Sequence, residues 1–156
     1  MKPNVGISDK HRAAIAASLS EVLAGTYALQ LQTQFAHWNV KGPFFDPLHK
    51  LFQTQYEELS LAVDEIAERI RVMGHDAPGT FSEFTKLSPI KQRSNFKNAN
   101  DMVECLLDGH DGMIAACKQS IEVAAGAGDE ATEDLLTERI AAHGKTSWML
   151  RVTLEK

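Results

Sequence analysis

The sequence predicts an all-α domain, a bundle of four long helices with one long crossover between the second and the third that carries a short helix. Three observations support this. Apolar residues recur in steps of three and four through four long stretches. Proline occurs only five times, and Ala, Leu, Glu and Gln, all good helix formers, are abundant. The breaks between stretches are short and marked by Gly or Pro, except the one from Gly74 to about Lys97.

The first helix is expected from about Ser8 to Trp38, with Ile15, Leu19, Val22, Leu23, Leu31 and Phe35 on its apolar side and Lys41-Gly42-Pro43 as its stop. The second runs from about Pro47 to Met73, closed by Gly74. Its core stripe is read as Phe52, Tyr56, Leu59, Val63, Ile66, Ile70 and Met73. In the long connection, Thr80-Phe81-Ser82-Glu83 is a capping-box pattern that starts one short helix. The third long helix runs from about Asn98 to Ala125, with Val103, Leu106, Leu107, His110, Ile114, Cys117 and Ile121 on one side. The fourth runs from about Asp129, an N-cap residue, to Leu154, with Leu135, Leu136, Ile140 and Trp148. Short loops join antiparallel neighbours, whereas a long crossover lets the second and third helices run parallel. A simple up-down bundle does not need that crossover, and an α-solenoid would show a repeat.

A chain of 156 residues fits one domain, 1–156, with 1–7 as a short flexible N-terminal tail. Its formal charge of −5 gives no overall attraction to nucleic acid or acidic membranes. The start, Met1-Lys2-Pro3-Asn4-Val5-Gly6, has no apolar segment of the secretory kind, and no apolar run is expected to span a bilayer. A soluble cytoplasmic protein is expected. Cys105 and Cys117, twelve residues apart in one helix, lie roughly 18 Å apart, too far to pair, and read as buried small apolar residues.

His37, His49, Asp64 and Glu68 are the candidate metal ligands, two imidazoles and two carboxylates of the kind that iron accepts. Asp64 and Glu68 are four apart and share a helix face. His49 precedes Asp64 by fifteen residues, roughly 22 Å along one helix. One ion cannot span that distance, so a single site needs a second copy of the chain. On a helical wheel His49, Gln53, Asp64 and Glu68 fall beside the core stripe, on a face turned out of the bundle. Two antiparallel copies of the second helix about a two-fold axis near Glu58 and Leu59 bring the His end of one to the acidic end of the other, giving two identical sites. His37 joins through the Gly42-Pro43 turn. A di-iron site inside one bundle uses Glu-x-x-His, which is missing from this sequence.

The stretch Phe35-Ala36-His37-Trp38-Asn39-Val40-Lys41-Gly42-Pro43, then Leu48-His49 and Asp64-Glu65-Ile66-Ala67-Glu68-Arg69-Ile70, resembles the Dps family of mini-ferritins, as do Asp129 to Leu136 and Trp148-Met149-Leu150. The resemblance covers nearly the whole chain. It implies a ferritin-like four-helix bundle, a hollow dodecamer and iron storage. It also implies ferroxidase centres at the two-fold interface that oxidise Fe²⁺, with hydrogen peroxide preferred over O₂, and protection from oxidative stress. Carried over, His37 and His49 match ligands of one subunit, and Asp64 and Glu68 match ligands of its partner. Trp38 matches an indole beside the centre. No haem is expected. Where the family commonly has Asp four residues after the second His, this chain has Gln53, a neutral and weaker donor, which implies a weakened second iron position.

Glu65 and Arg69 are taken as an i,i+4 ion pair. His11, His75, His110 and His143 are taken as structural or surface residues. In the acidic cluster Asp129, Glu130, Glu133 and Asp134, the resemblance implies that Glu130 and Asp134 line an iron-entry pore, while helix capping explains the same residues. Relatives compact DNA through basic tails. This chain offers Lys2, Lys10, Arg12 and Lys156, and twelve copies at −5 each repel phosphate. DNA compaction by a chain with a degenerate iron centre is therefore the alternative function.

Overall fold

The computed structural model describes residues 3–155, so Lys2 and Lys156 of the basic tails lie outside the described residues. Five helices follow in order: α1 (Asp9–Asn39), α2 (Phe45–Val72), α3 (Phe81–Leu87), α4 (Ala99–Ala125) and α5 (Glu130–Leu154). No strand occurs among the described residues. The starts are capped as the sequence indicates. Ser8 accepts from His11 N, Asn98 from Asp101 N and Asp129 from Thr132 N, and Thr80 with Glu83 forms a full capping box. α2 starts two residues earlier than expected. Pro47 sits in its first turn, where a missing N–H removes no helical hydrogen bond.

Polar contacts between helix ends set the directions. Arg12, near the start of α1, donates to Met73 O past the end of α2 at 3.1 Å, so α1 and α2 are antiparallel. Arg139 of α5 holds Glu58 of α2, and Arg69 of α2 holds Asp129 and Thr132 at the start of α5. α5 is thus antiparallel to α2. The tight Gly126–Asp129 turn makes α5 antiparallel to α4 as well, so α2 and α4 run parallel, as the crossover requires. α1 packs on α2 and α4, α4 on α5, and the short α3 on α1. The crossover is pinned to α1. The Gln32 amide donates to Arg93 O and accepts from Arg93 N, at 2.9 and 2.7 Å, and Gln92 donates to Ala28 O at 2.9 Å.

The core runs along the axis through Ile15, Leu19, Leu23, Phe52, Leu59, Ile66, Leu106 and Leu136. Each such side chain contributes about 1.5–3 kcal/mol on burial. The expected stripes hold at most positions, with Phe52, Leu59, Ile66, Ile70 and Met73 of the second helix and Val103, Leu106, His110 and Cys117 of α4 all buried, and depart at others. On α2, Gln55 and Ala62 are buried, while Tyr56 and Val63 are half-buried. On α5 the buried positions are Thr132, Leu136, Arg139, His143, Ser147 and Leu150, whereas Trp148 is 61% exposed. Ile114 and Ile121 on α4 are likewise half-buried, with Met113 and Ser120 taking the inner positions. Cys105 and Cys117 are buried and free, as expected.

The expectation that no apolar run reaches membrane-spanning length needs correction. α1 is long and apolar enough by length and composition, with a mean hydropathy of 1.2 over its most apolar window, half of which is buried. Its apolar surface has a use inside the bundle, because α1 alone contacts α2, α3 and α4. Arg12, read as a basic tail residue, is 7% exposed and donates to Ile7 O, Met73 O and Asp9. It ties the start of α1 to the end of α2 and is no free cation for phosphate.

Candidate metal centre

The turn after α1 brings the two histidines together. Gly42 has φ +104°, a conformation that side chains with a Cβ rarely adopt, and Phe45 N closes the turn on Gly42 O at 3.0 Å. α2 starts at once and folds back along α1. His37 and His49 then stack with ring centroids 3.8 Å apart and planes 17° from parallel.

Their polar contacts are reciprocal. His37 Nδ1 donates to His49 O at 2.8 Å, and His49 Nδ1 donates to His37 O at 2.9 Å. A carbonyl only accepts, so both Nδ1 atoms carry the proton. In the neutral rings both Nε2 atoms therefore keep a free lone pair. This is the arrangement that orients metal-ligating imidazoles, with the second nitrogen held by a backbone carbonyl. Phe45 stacks on His49 at 5.0 Å, and Tyr56 meets the His37 ring edge-on at 5.2 Å. Tyr56 thus serves as a wall for His37, one role the periodicity of α2 did not show. Trp38, the next residue after His37, is 61% exposed.

Asp64 and Glu68 are exposed on the outward face of α2, near its other end. Because α2 is continuous from Phe45 to Val72, His49 and Asp64 stay roughly 22 Å apart along its axis. Among the described residues of one chain, no group of three or more His, Cys, Asp or Glu converges to hold an ion. The structure therefore brings His37 and His49 together and leaves Asp64 and Glu68 with each other at a distance. Gln53 is exposed on the same outward face and donates its amide to Glu57 Oε1 at 2.8 Å, which leaves its own oxygen unengaged by that bond. Between the two ends Leu61, 69% exposed, is the most exposed large apolar side chain of α2.

The ion pair expected between Glu65 and Arg69 is replaced by another. Arg69 turns away from its own helix to Asp129 and Thr132 of α5. Asp129 is 3% exposed and caps α5 as well, so it belongs to the bundle and not to an open acidic surface. A buried carboxylate beside a guanidinium is the stronger partner, because Glu65 is exposed and its charge is already solvated. Glu130 and Asp134 are exposed on the first turns of α5. His11 and His75 are exposed, and His110 and His143 are buried and bonded to each other, so the four divide between the surface and structural places expected of them.

Comparison with known proteins identifies the family. The ferritin-like domain model matches residues 16–156. The DNA protection during starvation protein 2 of Bacillus anthracis is 37% identical over 120 residues, covering 77% of this chain and 82% of that protein. The chain belongs to the Dps family. Another Dps relative, the DNA protection during starvation protein of Brevibacillus brevis, is 32% identical over 141 residues, covering 90% of this chain and 95% of that one. Solved Dps structures superpose closely. The Dps protein from Vibrio cholerae O1, described as a member of the ferritin-like diiron-carboxylate superfamily, has a TM-score of 0.93 at 29% identity and covers 99% of this chain and 98% of its own. A Dps protein from Bacillus brevis has a TM-score of 0.90 at 31% identity and covers 94% of this chain and 98% of its own. The fold is therefore the ferritin-like four-helix bundle of Dps proteins.

Proposed function

We propose that this chain stores and detoxifies iron as a ferroxidase. In this reading, His37 and His49 of one subunit and Asp64 and Glu68 of its partner form an intersubunit centre, two per dimer. The observation that carries it is the reciprocal His37–His49 clamp, which holds both Nδ1 atoms on carbonyls and frees both Nε2 atoms. The exposed carboxylates at the far end of the same helix, with Leu61 exposed between, support an antiparallel α2 pairing that completes the ligand set. The axis falls near Glu58 and Leu59, which leaves Leu61 of both copies close to it.

Fe²⁺ is the substrate. Imidazole nitrogen and carboxylate oxygen suit both its ferrous and ferric states, and the carboxylates of Asp64 and Glu68 offset the added positive charge of Fe³⁺. Two Fe²⁺ give one electron each to hydrogen peroxide, which takes two protons and leaves as two waters, so no hydroxyl radical is released. Fe³⁺ then collects as mineral inside a dodecamer, with Glu130 and Asp134 lining the entry pores. Gln53 presents an amide oxygen where relatives supply a carboxylate, so the second iron position is the weaker one. The protein acts in the cytoplasm.

The test is anaerobic loading with Fe²⁺ followed by peroxide, with ferric absorbance as the readout. Glu68→Ala and His37→Ala should each slow oxidation at least tenfold, roughly 1.4 kcal/mol in the barrier. Wild-type rates in both variants would place the centre elsewhere. The names of the relatives favour a second reading, protection of DNA by binding it. With Arg12 buried, that reading rests on Lys10 and the tail ends, and it predicts plasmid retention in a gel shift that survives moderate salt.

A further inference from the structure

The core of the bundle contains a polar layer that the interface centre does not use. His110 of α4 and His143 of α5 are each 1% exposed, and their Nδ1 atoms face each other at 2.9 Å. One ring donates and the other accepts, so the pair leaves one Nε2 with a proton and the other with a lone pair. Both Nε2 atoms are buried without a partner. Gln55, 7% exposed, has neither its amide nitrogen nor its oxygen paired, and the Ser147 hydroxyl is unpaired as well. Arg139 on α5 grips Glu58 on antiparallel α2, so one turn further along α5 and one turn back along α2 set His143 and Gln55 at the same level. Ser147 is one turn beyond His143 on the same stripe. Four buried polar side chains with unmet atoms in one region of a close-packed core are costly unless something occupies them.

We propose that His110 and His143 hold a soft monovalent cation of the Cu⁺ class inside the bundle, separate from the interface iron centre. The two Nδ1 atoms converge, and opening the pair by about an ångström admits an ion with two metal–nitrogen bonds of ~2 Å in line. Coordination through both Nδ1 atoms puts a proton on each Nε2. The layer then has two N–H donors and, on Gln55 and Ser147, two unpaired acceptor oxygens, the kind of second-nitrogen support that metal-bound imidazole requires.

The charge of the ion follows from what surrounds it. No third His, Cys, Asp or Glu joins the pair, among the described residues, so a dication would be left with two neutral donors in a low-dielectric core. The formal charges that act on His110 are Arg139, which is held by Glu58, and Asp111, the next residue of α4, which is paired with Arg151. A d¹⁰ monocation is content with two imidazoles and carries the smallest burial cost. Its softness also matches the rest of the α4 stripe, where Met113 and Cys117 follow His110 at three and seven residues and are fully buried.

The experiment uses the full chain, reduced and metal-free, with His37→Ala and Glu68→Ala introduced so that the interface ligands do not compete. Cu⁺ alone is titrated without oxygen against a chromophoric Cu⁺ chelator. One Cu⁺ per chain should be retained, with an X-ray absorption spectrum dominated by two nitrogen neighbours. Adding His143→Leu or His110→Leu should weaken retention at least a hundredfold. Circular dichroism checks that these chains fold, and His143→Gln, which keeps size and polarity, serves if the leucine variants do not. Failure of the parent to hold Cu⁺ would overturn the proposal, as would undiminished retention without either histidine or a spectrum dominated by sulfur. These outcomes are read without ferroxidase activity, so the iron centre and the core site stand or fall independently.

Discussion

An imidazole is aimed at an ion only when its other nitrogen is held, and His37 and His49 hold each other. Each donates Nδ1–H to the carbonyl of the other, so the turn that joins α1 to α2 is also the support of the site. The residue types and their spacing were legible in the sequence, including Gly42, which alone tolerates the φ of +104° that the turn needs. The tautomer was not, because it depends on which carbonyl each ring meets. Gln53 is the residue whose change is most informative. Gln53→Asp should raise the rate of iron oxidation by restoring a carboxylate, and stopped-flow measurement of ferric absorbance reads the change. The same substitution removes the bond to Glu57 and sets two like charges one turn apart, which lowers stability by about 0.3–0.5 kcal/mol. An unchanged rate would remove Gln53 from the site.

At the scale of the helix, α5 departs furthest from expectation. Its inner stripe is Thr132, Leu136, Arg139, His143, Ser147 and Leu150, mostly polar, so apolar periodicity does not reveal it. On α2 the periodicity holds at Phe52, Leu59, Ile66, Ile70 and Met73 and misleads only at Tyr56 and Val63, apolar neighbours of the inward Gln55 and Ala62. What orients α5 is pairing across helices, Arg69 with Asp129 and Arg139 with Glu58. Asp129→Ala removes the cap of α5 and leaves Arg69 without its carboxylate. Urea unfolding should show a loss of about 2–4 kcal/mol, below the full value for a buried pair because Arg69 keeps some exposure.

The buried histidine pair predicts a pH effect with a definite sign. Burial, aided by the nearby Arg139 charge, pushes His110 down to about 3. Burial, then His110 and Arg139, push His143 down to about 2. In the unfolded chain both titrate near 6.5, so below that pH the unfolded state binds more protons than the folded one. Stability from this pair is therefore complete above about pH 6.5 and declines as pH falls toward 3. Melting temperatures taken between pH 7 and pH 4 should drop less steeply in a His110→Leu/His143→Leu chain than in the wild type. Equal slopes would show that the pair does not stay neutral in the folded protein.

At the scale of the whole molecule, the proposed centre makes a prediction about assembly. If each centre takes imidazoles from one subunit and carboxylates from the other, a mixed dimer of His37→Ala and Glu68→Ala chains has one centre with both losses and one with none. Random co-assembly of two inactive variants should then recover about a quarter of the wild-type oxidation rate. A centre built within one chain recovers nothing. Leu61→Arg, which leaves every ligand in place, should break the pairing of α2 and lower both the assembled mass and the oxidation rate. Native mass spectrometry should find the wild type at twelve times the 17.2 kDa chain mass.

Local rules were enough for much of this protein. Helix starts and stops, the crossover with its capping box, the outward face of α2 and the choice of His37, His49, Asp64 and Glu68 as candidate ligands all follow from short-range spacing and side-chain chemistry. Tertiary structure alone decided that α5 turns a mostly polar face inward, that Arg69 reaches Asp129 and not Glu65, that Arg12 is buried, and that His110 meets His143. Each of these joins residues far apart in the chain. The energy that selects them comes from burying charge beside charge and imidazole beside imidazole, where solvent is excluded, and no periodicity within a single helix records it.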